Sequence, residues 1–371
     1  MRRKKSIVTW DPGSGVRLLA PRRAPAIRSA RRTPEPLPAA DVAPLERSVE
    51  LSVDLAPARP GRLLLRAPVL IAAGCLGYGI EAEGQLDPAR IGAIITRGTT
   101  LGARAGAPSP RMTEAAAGLI HALGLPNPGI EAVLERHAAR WVTWDLPVIL
   151  NVAATTADGF AALAARADEV PGIAALELDL ASPDLMRGGR PLSLDALATG
   201  RATAAARGAT ELPLLVKLSA AAPDIRAVAR AAVEAGADAL TCVGGIPSRA
   251  IDPGSGRDRL GSSVVTLSGP AIRPLALRAV AEAAGAVSVP IVGSGGITGI
   301  EDALEFLAAG ATAVAIGTAA LADPGVASRI VDGLAAHCAR LRLDGYAALI
   351  GTAAEISRRR RTGTPREARP R

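Results

Sequence analysis

Apolar residues along this chain fall into short runs separated by longer stretches of mixed pattern. Eight runs stand out, at 69–74, 93–99, 147–153, 174–181, 213–219, 239–245, 290–296 and 313–319. Each is bounded by Gly, Pro or polar residues, and each lacks the alternation of a half-exposed strand, so each reads as a strand buried on both faces. The stretches between them carry helical periodicity, as at 129–142, 158–170, 222–236, 272–284 and 300–309. In the third of these, Pro223-Asp224 supplies a start signal and Gly236 a stop. Eight strand signals alternating with helices over this length predict a (β/α)8 barrel, an α/β fold of TIM-barrel type. A doubly wound sheet is the alternative, and fewer strands would suit it better. A leading pair, 51–55 and 62–65, is expected to plug the bottom of the barrel.

The barrel accounts for residues 49–355. The flanks, 1–48 and 356–371, are rich in Arg, with Pro and Ala in the first, and read as disordered basic extensions. They also explain the charge. The formal net charge of +8 invites a polyanion partner, but 1–48 carries +7 and 356–371 carries +6, leaving the body at −5. A basic binding face on the body is not supported, and with aromatics at 2% there is no stacking platform for bases, so nucleic acid is not the expected partner. No apolar run is long enough to span a membrane, and no signal-peptide core follows the basic start. The three cysteines, Cys75, Cys242 and Cys338, are far apart and form neither a disulfide framework nor a metal-spaced cluster, which fits a reduced, cytoplasmic protein.

In a barrel of this kind chemistry gathers at the C-terminal ends of the strands. Those ends read Ala73-Gly74-Cys75, Arg97-Gly98-Thr99, Asn151, Asp179 to Ser182, Lys217, Val243-Gly244-Gly245, Gly295-Gly296 and Gly317-Thr318. The glycines after the last two strands suit a phosphate held by backbone amides, and tight βα turns would need glycine equally. Lys217 interrupts an apolar strand, and a lysine aimed into a barrel mouth requires an anionic partner. The electron-rich edge of a flavin ring is one such partner, and an ion pair with Asp179 is another.

Several motifs in fixed order extend this picture. Ala73-Gly74-Cys75-Leu76-Gly77-Tyr78-Gly79, Arg97-Gly98-Thr99-Thr100, Pro108-Ser109-Pro110-Arg111 and Gly124-Leu125-Pro126-Asn127-Pro128-Gly129 come first. Asn151-Val152-Ala153, Val216-Lys217-Leu218-Ser219, Leu267-Ser268-Gly269-Pro270-Ala271-Ile272, 293–297 and Gly317-Thr318 follow. In these the chain resembles the class 1 dihydroorotate dehydrogenases, especially those that work with an iron–sulfur flavin partner subunit. The resemblance implies bound flavin mononucleotide (FMN). It places Lys217 at the flavin's pyrimidine edge and Gly269, Gly295, Gly296, Gly317 and Thr318 around its phosphate and ribityl chain. Ala73, Gly74, Arg97, Gly98, Asn151, Asp179 and Val243 complete the implied cofactor contacts. With no iron–sulfur cysteines of its own, the chain would need a separate electron-transfer subunit, fumarate, oxygen or a nicotinamide to take the electrons, and the resemblance implies a homodimer.

The substrate side departs from the pattern. Where the family shows Asn-x-Ser-Cys-Pro-Asn, this chain reads Asp179-Leu180-Ala181-Ser182-Pro183-Asp184. Ser182 therefore occupies the position of the proton-accepting base, although a serine there could also simply cap a turn. Asp179 and Asp184 replace asparagines, His121 stands before Gly124-Leu125 where the family has Asn, Gly244-Gly245 replace an Asn-Thr pair, and Arg97 replaces a lysine. An ionised Asp only accepts hydrogen bonds where Asn both donates and accepts. The expected substrate shell is thus Arg97, His121, Gly124, Leu125, Asp179, Asp184, Gly244 and Gly245, with the two glycines expected to enlarge the pocket. Three readings follow from the altered shell: a flavin oxidoreductase for a related substrate, a non-catalytic flavin-binding relative, or a dihydroorotate dehydrogenase with compensating contacts.

Overall fold

The computed structural model describes residues 49–183 and 190–354. The two basic flanks and Asp184 lie outside the described residues. Eight parallel strands close into a barrel: β1 Val69–Ile71, β2 Ala93–Ile95, β3 Val148–Val152, β4 Ile173–Asp179, β5 Leu214–Leu218, β6 Ala239–Cys242, β7 Ile291–Ser294 and β8 Ala313–Ile316. Each strand pairs with its neighbour in the chain, and β8 pairs with β1 to close the ring. This is the (β/α)8 architecture, and the eight strands coincide with the eight apolar runs of the sequence, β4 starting one residue before its run.

The strands are apolar on both faces because both are covered. Leu70, Ile95, Ile149, Leu215 and Val292 fill the inside, while Ile71, Ile94, Leu150, Leu176 and Val216 pack against the outer helices. Helix starts follow local capping. Thr156, Asp195 and Asp224 each accept a backbone N–H in the first turn of the helices Ala157–Asp168, Ala196–Arg207 and Ile225–Glu234. Gly236, at φ 102°, ends the last of these as its sequence position suggests. Three helices among the described residues stand beyond the five that periodicity singled out, Ala196–Arg207, the short Thr318–Ala322 and Val326–Arg340.

The leading strand pair is shorter than its sequence suggests, Val53–Asp54 against Leu64–Leu65. It nevertheless seals the barrel floor: Val53, Leu55, Leu63 and Leu65 join the interior cluster. Arg59 beside them binds Asp238, the residue before β6, at 3.0 Å. The opposite end carries an addition that the apolar runs do not reveal. Ile246–Ser248, Val265–Ser268, Gly118–His121 and Met112–Ala115 form a four-stranded antiparallel sheet in that order. It is built from the segments that follow β2 and β6. Among the described residues no helix is long and apolar enough to cross a membrane.

Candidate functional site

The mouth of the barrel is built around one buried carboxylate. Glu177, in the middle of β4, is completely enclosed. Its oxygens accept three hydrogen bonds: Asn151 Nδ2 on β3 at 2.7 Å, Lys217 Nζ on β5 at 3.0 Å and Thr241 Oγ1 on β6 at 2.7 Å. Strand register produces this convergence. Asn151 pairs with Glu177, and Thr241 with Lys217, so four adjacent strands deliver their polar side chains to one patch of the barrel interior. The lysine's partner is therefore Glu177, not the Asp179 that proximity in the sequence pattern suggested. Asp179 lies opposite Lys217 in the strand register and acts on it electrostatically. Burial alone would pull the Lys217 ammonium down. The carboxylates of Glu177 and Asp179 outweigh that and hold it above its ordinary value.

Asn151 Oδ1 is buried with no hydrogen-bond partner in the protein. Such an acceptor costs about 1–3 kcal/mol if it stays unmet, so it marks a place where a ligand donor belongs. A Cβ built on Gly98 would lie 3.1 Å from this oxygen and 3.0 Å from Leu125 Cδ2, which brings Gly98, Leu125 and Asn151 into one wall. Arg97 stands two residues beyond β2, half-buried, its backbone N–H held by Gly77 O at 2.7 Å. Asn127 accepts from Thr100 and donates to Leu125 O at 2.9 Å, fixing the loop that carries Gly124 and Leu125.

The far side of the mouth is made of backbone. Gly269, Gly295 and Gly296 approach one another behind the residues Thr318 and Arg273. A Cβ on Gly296 would meet Gly269 O and Arg273 Cβ at 2.9 Å, and one on Gly295 would meet Ala276 Cβ at 2.8 Å. Both residues have positive φ, at 80° and 126°. Turn geometry and packing therefore demand glycine at these two positions whatever binds there. Gly317 differs. Its φ is −103°, and a Cβ there would make only ordinary contacts, 3.5 Å to Cys75 Sγ and 3.7 Å to Ala72 Cβ. Thr318 Oγ1 donates to Ser268 Oγ at 2.9 Å, tying the end of β8 to the antiparallel sheet.

The remaining sequence candidates are placed as follows. Ala73 and Gly74 follow β1, Gly74 with φ 83° and open space where a side chain would be. Val243 is buried and bonds to Ser294 O at 2.9 Å. Gly244 and Gly245 do not enlarge the mouth. A Cβ on Gly244 would meet Ala181 Cβ at 2.8 Å, and one on Gly245 would meet Thr266 Cγ2 at 2.2 Å, so neighbouring side chains already fill that space. His121 ends its strand opposite Met112 and Thr266, half-buried in the antiparallel sheet. Ser182 lies three residues beyond Asp179, half-buried. His137 stacks between Tyr78 and Trp141, centroids 4.8 and 5.8 Å away, as a packing residue should. Burial pushes the Cys75 thiol up to about 11 against the pull of Lys217, so it is inert at neutral pH. Glu177 and Thr241 are the functional residues missed from sequence. The available signal was a polar residue inside an apolar strand, the same signal that exposed Lys217.

The donors and acceptors fit the pyrimidine edge of a flavin. Lys217 offers N–H groups beyond the one spent on Glu177, matching the ring's N1/C2=O acceptors, and Asn151 Oδ1 matches a ring N–H. Among the described residues there is no cluster of side chains able to hold a metal ion.

Comparison with known proteins identifies the family. Residues 61–338 match the family model described as dihydroorotate dehydrogenase. The chain is 43% identical over 291 residues to the dihydroorotate dehydrogenase B (NAD(+)) catalytic subunit of Desulforudis audaxviator, covering 78% of this chain and 95% of that protein. It is 41% identical over 291 residues to the protein of the same name from Trichlorobacter lovleyi, covering 78% and 96%. The corresponding protein of Pelobacter propionicus is 42% identical over 272 residues, covering 73% and 90%.

Proposed function

The chain belongs to the dihydroorotate dehydrogenase family, and on that premise we propose that it is the FMN-binding catalytic subunit of a dehydrogenase acting on a CH–CH bond beside a carbonyl. The substrate is dihydroorotate or a closely related dihydropyrimidine. The observation that carries the reading is the pairing of a buried ammonium, Lys217, with a buried unmet acceptor, Asn151 Oδ1, at the mouth of the barrel.

In this reading Lys217 and Asn151 hold the flavin's pyrimidine edge. Ala73, Gly74, Gly98 and Val243 line the ring, with Arg97 and Asp179 at its border. Gly269, Gly295, Gly296, Gly317 and Thr318 cradle the phosphate end. A flavin held by these residues would supply the hydride acceptor for the oxidation. Ser182 takes the proton from the carbon beside the carbonyl and passes it to solvent, a role that requires a polarised hydrogen-bond network because a free serine is too weak a base. The substrate loses two electrons and two hydrogens, one as hydride and one as proton. Arg97 supplies positive charge toward a substrate carboxylate, and His121, Gly124, Leu125, Asp179, Gly244 and Gly245 shape the rest of the shell. The relatives are named catalytic subunits and carry NAD(+) in their names. We accordingly propose that electrons leave through a separate subunit toward a nicotinamide, in a cytoplasmic assembly built on a homodimer of this chain.

The test is anaerobic mixing of the flavin-loaded protein with dihydroorotate and, separately, with a dihydropyrimidine lacking the carboxylate. Bleaching of the flavin absorbance by dihydroorotate supports the reading. Bleaching by the second compound alone assigns the altered shell to a different substrate, and bleaching by neither overturns the proposed oxidation. Ser182→Ala should slow bleaching at least roughly a hundredfold while flavin stays bound.

A further inference from the structure

The chain has 43 basic residues, and only three are lysines: Lys4, Lys5 and Lys217. All the others are arginines, so Lys217 is the sole lysine among the described residues. At this one buried position the broad guanidinium fork is replaced by a compact ammonium with three rotatable donors. One of those donors goes to Glu177, which leaves two for a ligand.

Glu177 determines more than the lysine's position. An ionised carboxylate accepts hydrogen bonds and never donates. The Asn151 amide beside it must therefore turn its NH2 group toward Glu177, and an acceptor turned that way would meet another acceptor. That choice leaves Asn151 Oδ1 as the group presented to a ligand, which is the unmet acceptor seen in the structure. Thr241 Oγ1 occupies the second carboxylate oxygen and keeps the group from rotating. We propose that Glu177 is the positioning residue of this mouth, anchoring the Lys217 ammonium and orienting the Asn151 amide so that one donor and one acceptor face the ligand together. Glu177 acts through Lys217 and Asn151, so its role requires no contact of its own with substrate or cofactor.

The groups acting electrostatically on Lys217 are Glu177 and Asp179 of β4 and Cys75 beyond β1. Removing the charge of Glu177 takes away the largest influence that favours the ammonium, so Lys217 loses its proton at lower pH. The inference rests on the flavin reading only for the choice of probe in its second readout.

The full chain labelled with 15N-lysine gives three side-chain signals, with Lys217 assigned by its loss in Lys217→Arg. In wild type the Lys217 Nζ signal should remain that of an ammonium past pH 10. In Glu177→Gln its titration should fall by on the order of one pH unit or more. FMN affinity of that variant should drop roughly tenfold at pH 7 and weaken further as pH rises through the new titration, while wild type stays flat from pH 7 to 9. A titration in Glu177→Gln that superimposes on wild type overturns the proposal. A neutral Lys217 amine in wild type at pH 8 overturns it as well, and that result needs no variant to fold. If wild type fails to bind FMN, the flavin reading falls, and the lysine titration still decides the role of Glu177.

Discussion

The β3–β6 side of the mouth and the β7–β8 side present polar groups to the same space by opposite means. On the first, the groups are side chains: Asn151, Glu177, Lys217 and Thr241, each on its own strand and each bonded to Glu177 or provided by it. On the second, they are backbone, exposed by Gly269, Gly295, Gly296 and Gly317. The difference separates two kinds of evidence. A buried ammonium and carboxylate are costly to enclose and demand an explanation. A glycine does not, because a turn alone can require it. Gly295 and Gly296 are required by their own packing, and only Gly317 combines ordinary φ with room for a methyl group. The β3–β6 side thus carries the functional argument, and Gly317 is the point at which the β7–β8 side can be tested independently.

The largest expected effect is on the side-chain half. Lys217→Met leaves Glu177 buried without its counter-ion and should cost about 3–5 kcal/mol in urea unfolding, with much of that loss recovered in the double variant with Glu177→Gln. A loss below about 1 kcal/mol would mean that the pair contributes little to this half. Next comes Gly295→Ala, whose added carbon meets Ala276 at positive φ. It should cost about 1–3 kcal/mol, equally with and without FMN. A cost that appears only with the flavin present would erase the distinction drawn between Gly295 and Gly317. Gly317→Ala should behave in the opposite way, changing apoprotein stability by no more than about 0.5 kcal/mol while weakening FMN roughly tenfold, as seen by fluorescence titration. The smallest effect concerns pH. Lys217 is held above its ordinary value of 10.5 in the folded state, so its contribution is fully present below that pH and is lost as pH rises through the folded value. The stability gap between wild type and Lys217→Met should stay constant from pH 6 to 9 and narrow above 10.5, which denaturant curves at several pH values would show.

Much of this was readable from the chain. The eight barrel strands are legible because parallel strands covered on both faces leave continuous apolar runs, and Lys217 is legible because it breaks one. The antiparallel sheet is not. Met112–Ala115 and Ile246–Ser248 are short and mixed in polarity, and the central pairing, Val265–Ser268 with Gly118–His121, joins segments far apart in the chain, so no local pattern announces the sheet. Glu177 is hidden for a different reason. The same strand ends in Asp179, which lies opposite Lys217 and shares the inward face with Glu177, so alternation alone does not say which carboxylate bonds to the lysine. The antiparallel sheet likewise supplies Thr266, which occupies the space that Gly245 seemed to vacate.

The most direct test of the account is equilibrium titration of the apoprotein with FMN, following quenching of flavin fluorescence. The account predicts saturation at one FMN per chain in wild type, with affinity weakened by both Lys217→Met and Gly317→Ala, one substitution on each side of the mouth. Absence of saturable quenching, or binding that neither substitution alters, would contradict a flavin site at this end of the barrel.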